Sequence, residues 1–293
     1  MNSHPGRLAA ALLALVWLGC SDADAVGPCT GEVLALLPDR IAEASGIAVS
    51  RSQPGILWVH NDSEGSPQLY GLAEDGSVRA EIPIPAARRQ SDWEDIAIGP
   101  CGDSHCLYIG DIGDNLHDRS DRAILRIREP GPGDTAAGQI ERFPIRYPDR
   151  PRDAEAIFVL PDTSVYVISK GRRDGVTLYR YPPPLRPGVR VTLEAVQQLS
   201  TGVVQLDDAV TGAAAAVDGS IVAVRTYSSV QLYTFDADSL VPVWPGAGHR
   251  LDSLGEPQGE GVALGDNGIL YLVSESGLTD EPAPLSRLRC PMP

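Results

Sequence analysis

The chain has 293 residues, with 39 acidic against 24 basic side chains, a formal charge of −15 and a single lysine, Lys170. Nucleic acid and anionic lipid both demand basic surface, so binding to either through charge is excluded. The apolar fraction of 43% over this length is ample for one buried core.

The first element is not structural. Arg7 precedes an apolar run from Leu8 to Leu18, too short to span a bilayer, and Gly19-Cys20 follows. This is the layout of a secretory signal, and Val16-Trp17-Leu18-Gly19-Cys20 resembles the lipobox of bacterial lipoproteins. Residues 1–19 are therefore read as a signal peptide, Cys20 as the lipidated mature N-terminus, 20–30 as anchor and short linker, and 31–293 as one domain. The expected location is exported and membrane-anchored, facing the periplasm or cell exterior, with the lipid as the only membrane contact. With Cys20 lipidated, the four remaining cysteines are expected to pair in an oxidising compartment; a zinc site built from them is the competing reading, which their spacing does not favour. Cys101 and Cys106 flank a short turn, which leaves Cys29 and Cys290 to join the chain ends.

A spare strand lies at Gly31–Leu37, its part 33–37 free to edge another sheet, and behind it a degenerate repeat runs to the C-terminus. Its first strand carries Ser45-Gly46-Ile47-Ala48, Glu94-Asp95-Ile96-Ala97, Glu155-Ala156-Ile157-Phe158, Thr211-Gly212-Ala213-Ala214 and Glu260-Gly261-Val262-Ala263. These segments recur at roughly fifty to sixty residues, the period of propeller blades. Second strands are predicted at 56–60, 107–110, 165–169, 221–225 and 269–274. Third strands fall at 68–72, 124–127, 177–181, 231–235 and 284–288. Outer strands fall at 78–82, 140–145, 191–196 and 240–244. Asp-Gly and Asn-Gly turns separate them, and no long 3.6-residue apolar period occurs outside the signal. The expected fold is all-β: a single β-propeller of five four-stranded blades, with room for a sixth in 115–152. The fifth repeat lacks an outer strand, which the spare N-terminal strand supplies, closing the ring beside a Cys29–Cys290 disulfide and removing an exposed edge.

Equivalent positions of a propeller converge on its central channel. The first-strand position offers Glu94, Glu155 and Glu260 beside Ser45 and Thr211. The loop after the second strand offers Asn61 and Asp62, Asp111 and Asp114, Lys170, Arg225 and Glu275. Crowded carboxylates need a compensating cation, supplied either by Lys170 and Arg225 or by a metal. Hard oxygen donors suit calcium, with Glu94, Glu155, Glu260, Asn61, Asp111 and Glu275 as candidate ligands. A purely structural polar ring is the competing reading. The sequence contains no Gly-x-Ser-x-Gly elbow, His-Glu-x-x-His helix or phosphate-binding glycine loop.

Ala44-Ser45-Gly46-Ile47-Ala48 with Leu57–Ser63, Asp92–Ala97 with Tyr108–Asn115, Asp153–Ala156, Val224–Tyr227 and Gln258–Gly261 together resemble bacterial secreted β-propellers of the phytase-like, SdiA-regulated and WD40-like groups. The resemblance spans residues 44–276 and implies the propeller fold and an acidic channel. The catalytic signature of calcium-dependent phytases has no residue-by-residue match. The expected function is therefore an extracytoplasmic binding protein with an acidic, calcium-competent pocket, acting as a monomer on a small-molecule or protein ligand. Two alternatives stand beside it: a calcium-assisted hydrolase of a phosphoester, lactone or other ester, and a five-bladed glycosidase.

Overall fold

In the computed structural model, Met1 and residues 29–62, 66–84, 92–246, 248–277 and 281–292 are described. Apart from Met1, the signal segment lies outside these residues, as does Cys20. Each repeat folds as predicted into an antiparallel sheet whose strands are sequential neighbours. Blade 1 runs Ala44–Val49, Leu57–Asn61, Gln68–Leu72, Val78–Pro83, and blade 2 runs Trp93–Cys101, Ser104–Asp111, Ala123–Arg128, Ile140–Arg146. Blade 3 runs Ala154–Val159, Val165–Ser169, Thr177–Arg180, Glu194–Gln198, and blade 4 runs Val210–Ala215, Ile221–Thr226, Ser229–Asp236, Ser239–Pro242. Blade 5 combines Gln258–Leu264, Ile269–Glu275 and Pro284–Arg289 with the N-terminal strand Thr30–Leu36, paired antiparallel to Pro284–Arg289. The ring thus has five blades. The irregular stretch at 115–152 holds the third and outer strands of blade 2 rather than a sixth blade.

Two strands depart from the sequence pattern. The segment expected as one outer strand at 191–196 divides. Val191–Thr192 pairs in parallel with Ile145–Arg146 of blade 2, and only Glu194–Gln198 stays in blade 3. The cause is burial. Val191 and Leu193 pack with Phe143, Ile145, Tyr147, Tyr179 and Tyr181 between the two blades, and this apolar gain pulls the chain across. In blade 4, His249–Arg250 likewise adds to Ser229–Val230.

Cys29–Cys290 and Cys101–Cys106 both form, as the cysteine positions predicted. They suit an oxidising, extracytoplasmic setting. No helix among the described residues is long and apolar enough to cross a membrane. The first bridge closes the ring over 261 residues of sequence, so its main action is to restrict the unfolded chain. Cys29→Ser should lower stability by about 2–4 kcal/mol in oxidised protein and by nothing in protein reduced beforehand. Denaturant midpoints measured under both conditions check this, and equal losses would show that the bridge is not the cause.

Inner strands are fitted to each other by small residues. A side chain at Gly46 would meet the backbone nitrogen of Ile96 at 2.7 Å, at Gly212 the Glu260 carbonyl at 2.9 Å, and at Gly261 the Ser45 carbonyl at 2.7 Å. Blade 2 alone places a charged residue, Asp95, at the equivalent position. Its buried carboxylate accepts N–H bonds from Ile96 (2.8 Å), Ile157 of blade 3 (2.9 Å) and Ala213 of blade 4 (3.0 Å). Blades 2 and 4 are not neighbours, so Asp95 ties strands together across the propeller axis.

Candidate functional site

Every inner strand breaks its register once, at the same place. The ladder skips between Ala44 and Gly46, Trp93 and Asp95, Ala154 and Ala156, Val210 and Gly212, and Gly259 and Val262. The residue left over in the first four is Ser45, Glu94, Glu155 and Thr211, and in blade 5 the skip includes Glu260. A bulge re-aims the side chain it carries, and here it does so five times around one ring. The two hydroxyls are used internally. Ser45 Oγ donates to the Glu94 carbonyl, and Thr211 Oγ1 donates to the Glu260 carbonyl at 2.8 Å, each stitching an inner strand to the next blade. Three buried glutamates remain: Glu94, Glu155 and Glu260.

The same ladders define a second ring one step beyond the ends of the second strands. Asn61, Asp111, Ser169, Thr226 and Ser274 occupy matching positions opposite the inner strands. The next residues are Asp62, Ile112, Lys170, Tyr227 and Glu275. Four of these five converge on the glutamates. Lys170 Nζ donates to Glu155 Oε1 at 2.8 Å and stands 5.7 Å from the centre of the Tyr227 ring. Gln258 Nε2 bridges Glu260 Oε1 (2.8 Å) and Glu275 Oε2 (2.7 Å).

Of the residues the sequence offered, the structure brings Glu94, Glu155, Glu260, Glu275, Lys170 and Asp62 together. Four other candidates stand elsewhere. Asn61 turns its amide to the Arg40 carbonyl at 2.9 Å. Asp111 sits behind the ring, paired with Arg119 at 2.5 Å, which also approaches Asp92 at 3.7 Å. Arg225, expected as a channel cation, is fully buried instead. It donates to the Gly261 and Val273 carbonyls (2.8 and 3.0 Å) and pairs with Glu256 at 2.5 Å. Asp114 organises its own turn, accepting from the Asp118 and Arg119 amides and from Arg122. His60 packs edge-on to Trp93 at 5.7 Å, and burial lowers its pKa to about 4, so it is a neutral wall residue.

Two further acids complete the site. Asp92 and Asp153 precede Glu94 and Glu155 by two residues. The oxygens of Asp62, Asp92 and Glu94 lie within 4.8 Å of one another, as do those of Glu94, Asp153 and Glu155, so Glu94 belongs to both groups. The crowding is visible in proton affinity. Burial, then Glu155 and Asp62, push Glu94 well above the carboxylate range, and burial with Glu275 does the same to Glu260. Burial, reinforced by Asp92 and Glu275, raises Asp62 to about 8. Burial raises Asp92 and Asp153 to about 6 and Glu275 to about 7. Burial opposes the Lys170 ammonium, but Glu155, Tyr227 and Glu94 more than offset it and hold its pKa above the usual value. One lysine cannot neutralise this many carboxylates. All donors are oxygen, with neither His nor Cys among them, which suits Ca²⁺, Mg²⁺ or Mn²⁺ better than zinc.

A cleft opens over this floor in two lobes that share Leu206 and Tyr227. One, of about 330 Å³, includes Asp153 and Lys170 in its wall; the other, of about 460 Å³, includes Gln258 and Glu256. Both are large enough for a small organic ligand.

No protein-family model matches the chain, and no curated protein matches its sequence. Its fold is similar to that of solved β-propellers. The PQQ-bound aldose sugar dehydrogenase of Streptomyces coelicolor shares 15% identity, with 89% of this chain and 98% of that one covered and a TM-score of 0.50. A glucose dehydrogenase shares 11% identity over 88% and 99% of the two chains, with a TM-score of 0.52. The gluconolactonase XC5397 of Xanthomonas campestris shares 12% identity over 91% of each chain, with a TM-score of 0.50. At these identities the likeness is one of architecture, and activity has to be argued from the site.

Proposed function

We propose that this chain is an extracytoplasmic binding protein whose channel mouth holds a divalent cation, calcium by the chemistry of its donors, beneath a cleft for a small ligand. The observation that carries the reading is Glu94: a buried carboxylate shared by two acidic groups and facing another carboxylate, Glu155. Asp62, Asp92, Glu94, Asp153 and Glu155 are the residues that would hold the ion. Export through residues 1–19, a lipid anchor on Cys20 and a monomeric state belong to the same proposal. A bound cation would polarise an oxygen of the ligand, while Lys170 and Tyr227 stand beside it as hydrogen-bonding groups.

The second reading is hydrolysis of a lactone, phosphoester or other ester at the same place. It is favoured by the Lys170–Tyr227 contact, which sets a proton-bearing phenol and an ammonium next to the carboxylates. The fold shared with a protein described as a gluconolactonase is compatible with it. Glycoside cleavage is less well supported, because it uses a carboxylate pair spaced about 5–9.5 Å apart, whereas these acids form one crowded set.

Calorimetric titration of calcium into chelator-stripped protein tests the proposal. One ion should bind per chain, and Glu94→Gln should weaken binding by roughly a hundredfold, or about 2.7 kcal/mol. Absence of binding to the unaltered protein at millimolar calcium would overturn it.

A further inference from the structure

The two lobes of the cleft differ in charge. Among the described residues the first, although Asp153 also lines it, carries two arginines without an ion pair, and the second carries an unpaired aspartate and a half-satisfied glutamate. In the first, Arg172 and Arg173 follow Lys170 in a turn beside His117. Nearby basic side chains are committed: Lys170 to Glu155, Arg150 to Asp174, and Arg152 to Asp149 and Asp174. Arg172 gives one N–H to the Val204 carbonyl at 3.1 Å, and among the described residues neither it nor Arg173 has a carboxylate within ion-pair distance. Burial and Arg173 lower the His117 pKa, so the imidazole adds hydrogen bonding there without charge at neutral pH. Two adjacent guanidinium groups without an ion pair thus stand on this cavity wall in a chain of net charge −15.

The second lobe is the reverse. Asp252 is spent on Arg250 at 2.8 Å, but Asp207 is exposed and has no ion pair among the described residues. Glu256 lines the same lobe with a side chain only 4% exposed. Its Oε2 is held by Arg225, while its Oε1, buried, has no partner among the described residues. An unmatched buried carboxylate oxygen costs about 1–3 kcal/mol, which a hydrogen-bond donor recovers. Ser228 and Gln258 lie in the same wall and add neutral hydrogen-bonding capacity.

We infer that the cleft takes a short zwitterion, a peptide or an ω-amino acid, lying across Leu206 and Tyr227 with its carboxylate at Arg172 and Arg173 and its ammonium at Asp207 and Glu256. Guanidinium groups hold a carboxylate through paired N–H bonds, and the acidic lobe selects a cationic donor over a neutral one. Oppositely charged subsites also fix the direction in which the ligand lies, since the reversed pose sets like charges together. This assignment rests on the reading that the channel mouth is the ligand site, and it adds the ligand's class and orientation.

The test is calorimetric titration of the full chain, calcium-loaded and chelated, with glycine oligomers and ω-amino acids of increasing length. A free form of the fitting length should bind at least about tenfold more tightly than its N-acetylated or C-amidated form, about 1.4 kcal/mol per charge. The double substitution Arg172→Gln, Arg173→Gln should make affinity indifferent to C-amidation alone. Asp207→Asn, on the exposed rim, should reduce only the penalty of N-acetylation. Binding by both ligand series, or by the oligomers alone, supports the zwitterion, the second result adding a role for the peptide amides. No binding by either series at any length, or equal affinity for free and capped forms, overturns it. Calcium binding without zwitterion binding leaves the cation reading intact and removes this one. Zwitterion binding by a protein that takes up no calcium does the opposite.

Discussion

Asp95→Ala should lower the unfolding free energy by on the order of 5 kcal/mol. The loss follows from three buried backbone N–H groups, on Ile96, Ile157 and Ala213, whose acceptor is that one carboxylate. Each buried donor left without a partner costs about 1–3 kcal/mol, and the vacated space on the axis adds a cavity cost. Asp95→Asn should be milder than Asp95→Ala. One amide oxygen still accepts the Ile157 and Ala213 bonds, and only the Ile96 N–H then faces an amide that cannot accept. Denaturant midpoints at constant m-value check both, and a loss below about 1 kcal/mol for Asp95→Ala would show that water replaces the carboxylate. The effect should also exceed that of cutting the ring-closing disulfide, because Asp95 holds the folded state directly whereas the bridge acts through the unfolded chain.

Asp95 also shows what was legible in the sequence and what was not. The repeat of Ser, Glu, Glu, Thr and Glu followed by a small or apolar run marked the inner strands correctly. A bulge at one recurrent position keeps the repeat in phase even when the blades differ in length. Closure by the N-terminal strand was legible from a missing strand and two terminal cysteines. The second ring was legible only in part: Asp62, Lys170 and Glu275 were among the residues offered but Tyr227 was not, because strand ends cannot be read to a single residue and a one-residue slip exchanges the two faces of a strand. Asn61 and Asp111 each sit one residue before the ring position, and Arg225 sits two before it, where its side chain enters the blade 4–blade 5 contact. The ring positions there are Asp62, which the sequence offered beside Asn61, and Tyr227, which was not among the channel candidates. One available signal was passed over: Asp92-x-Glu94 and Asp153-x-Glu155 repeat the same spacing in adjacent blades. Alternation would set both carboxylates of each pair on one side of the strand. The oppositely charged lobes come from loops of different blades and have no sequence period at all.

Chelated protein should lose stability as the pH rises from about 5 to 8, and added calcium should matter most at the upper end. The sign follows from the direction of the shifts. Asp92 and Asp153 at about 6, Glu275 at about 7 and Asp62 at about 8 all lie above their ordinary values. Across this window the folded state retains protons that the unfolded chain has released. Stability that these groups contribute is complete below the ordinary carboxylate range and drains away as the pH climbs through 6, 7 and 8. A divalent cation competes with those same protons, so its apparent affinity rises over the same interval. At calcium a thousandfold above the dissociation constant, binding adds about 4.1 kcal/mol to the folded state, roughly 8–16 °C in Tm for a domain of this size. Thermal melts at pH 5.5 and pH 8, each with chelator and with calcium, should therefore show a calcium increment several times larger at pH 8. Glu94→Gln should flatten that increment at both values, since it removes the carboxylate common to the two acidic groups. A calcium increment independent of pH would mean that the ion binds away from these carboxylates. A chelated protein more stable at pH 8 than at pH 5.5 would mean that Lys170 and Arg119 already neutralise the ring, leaving it a scaffold with no need of a cation.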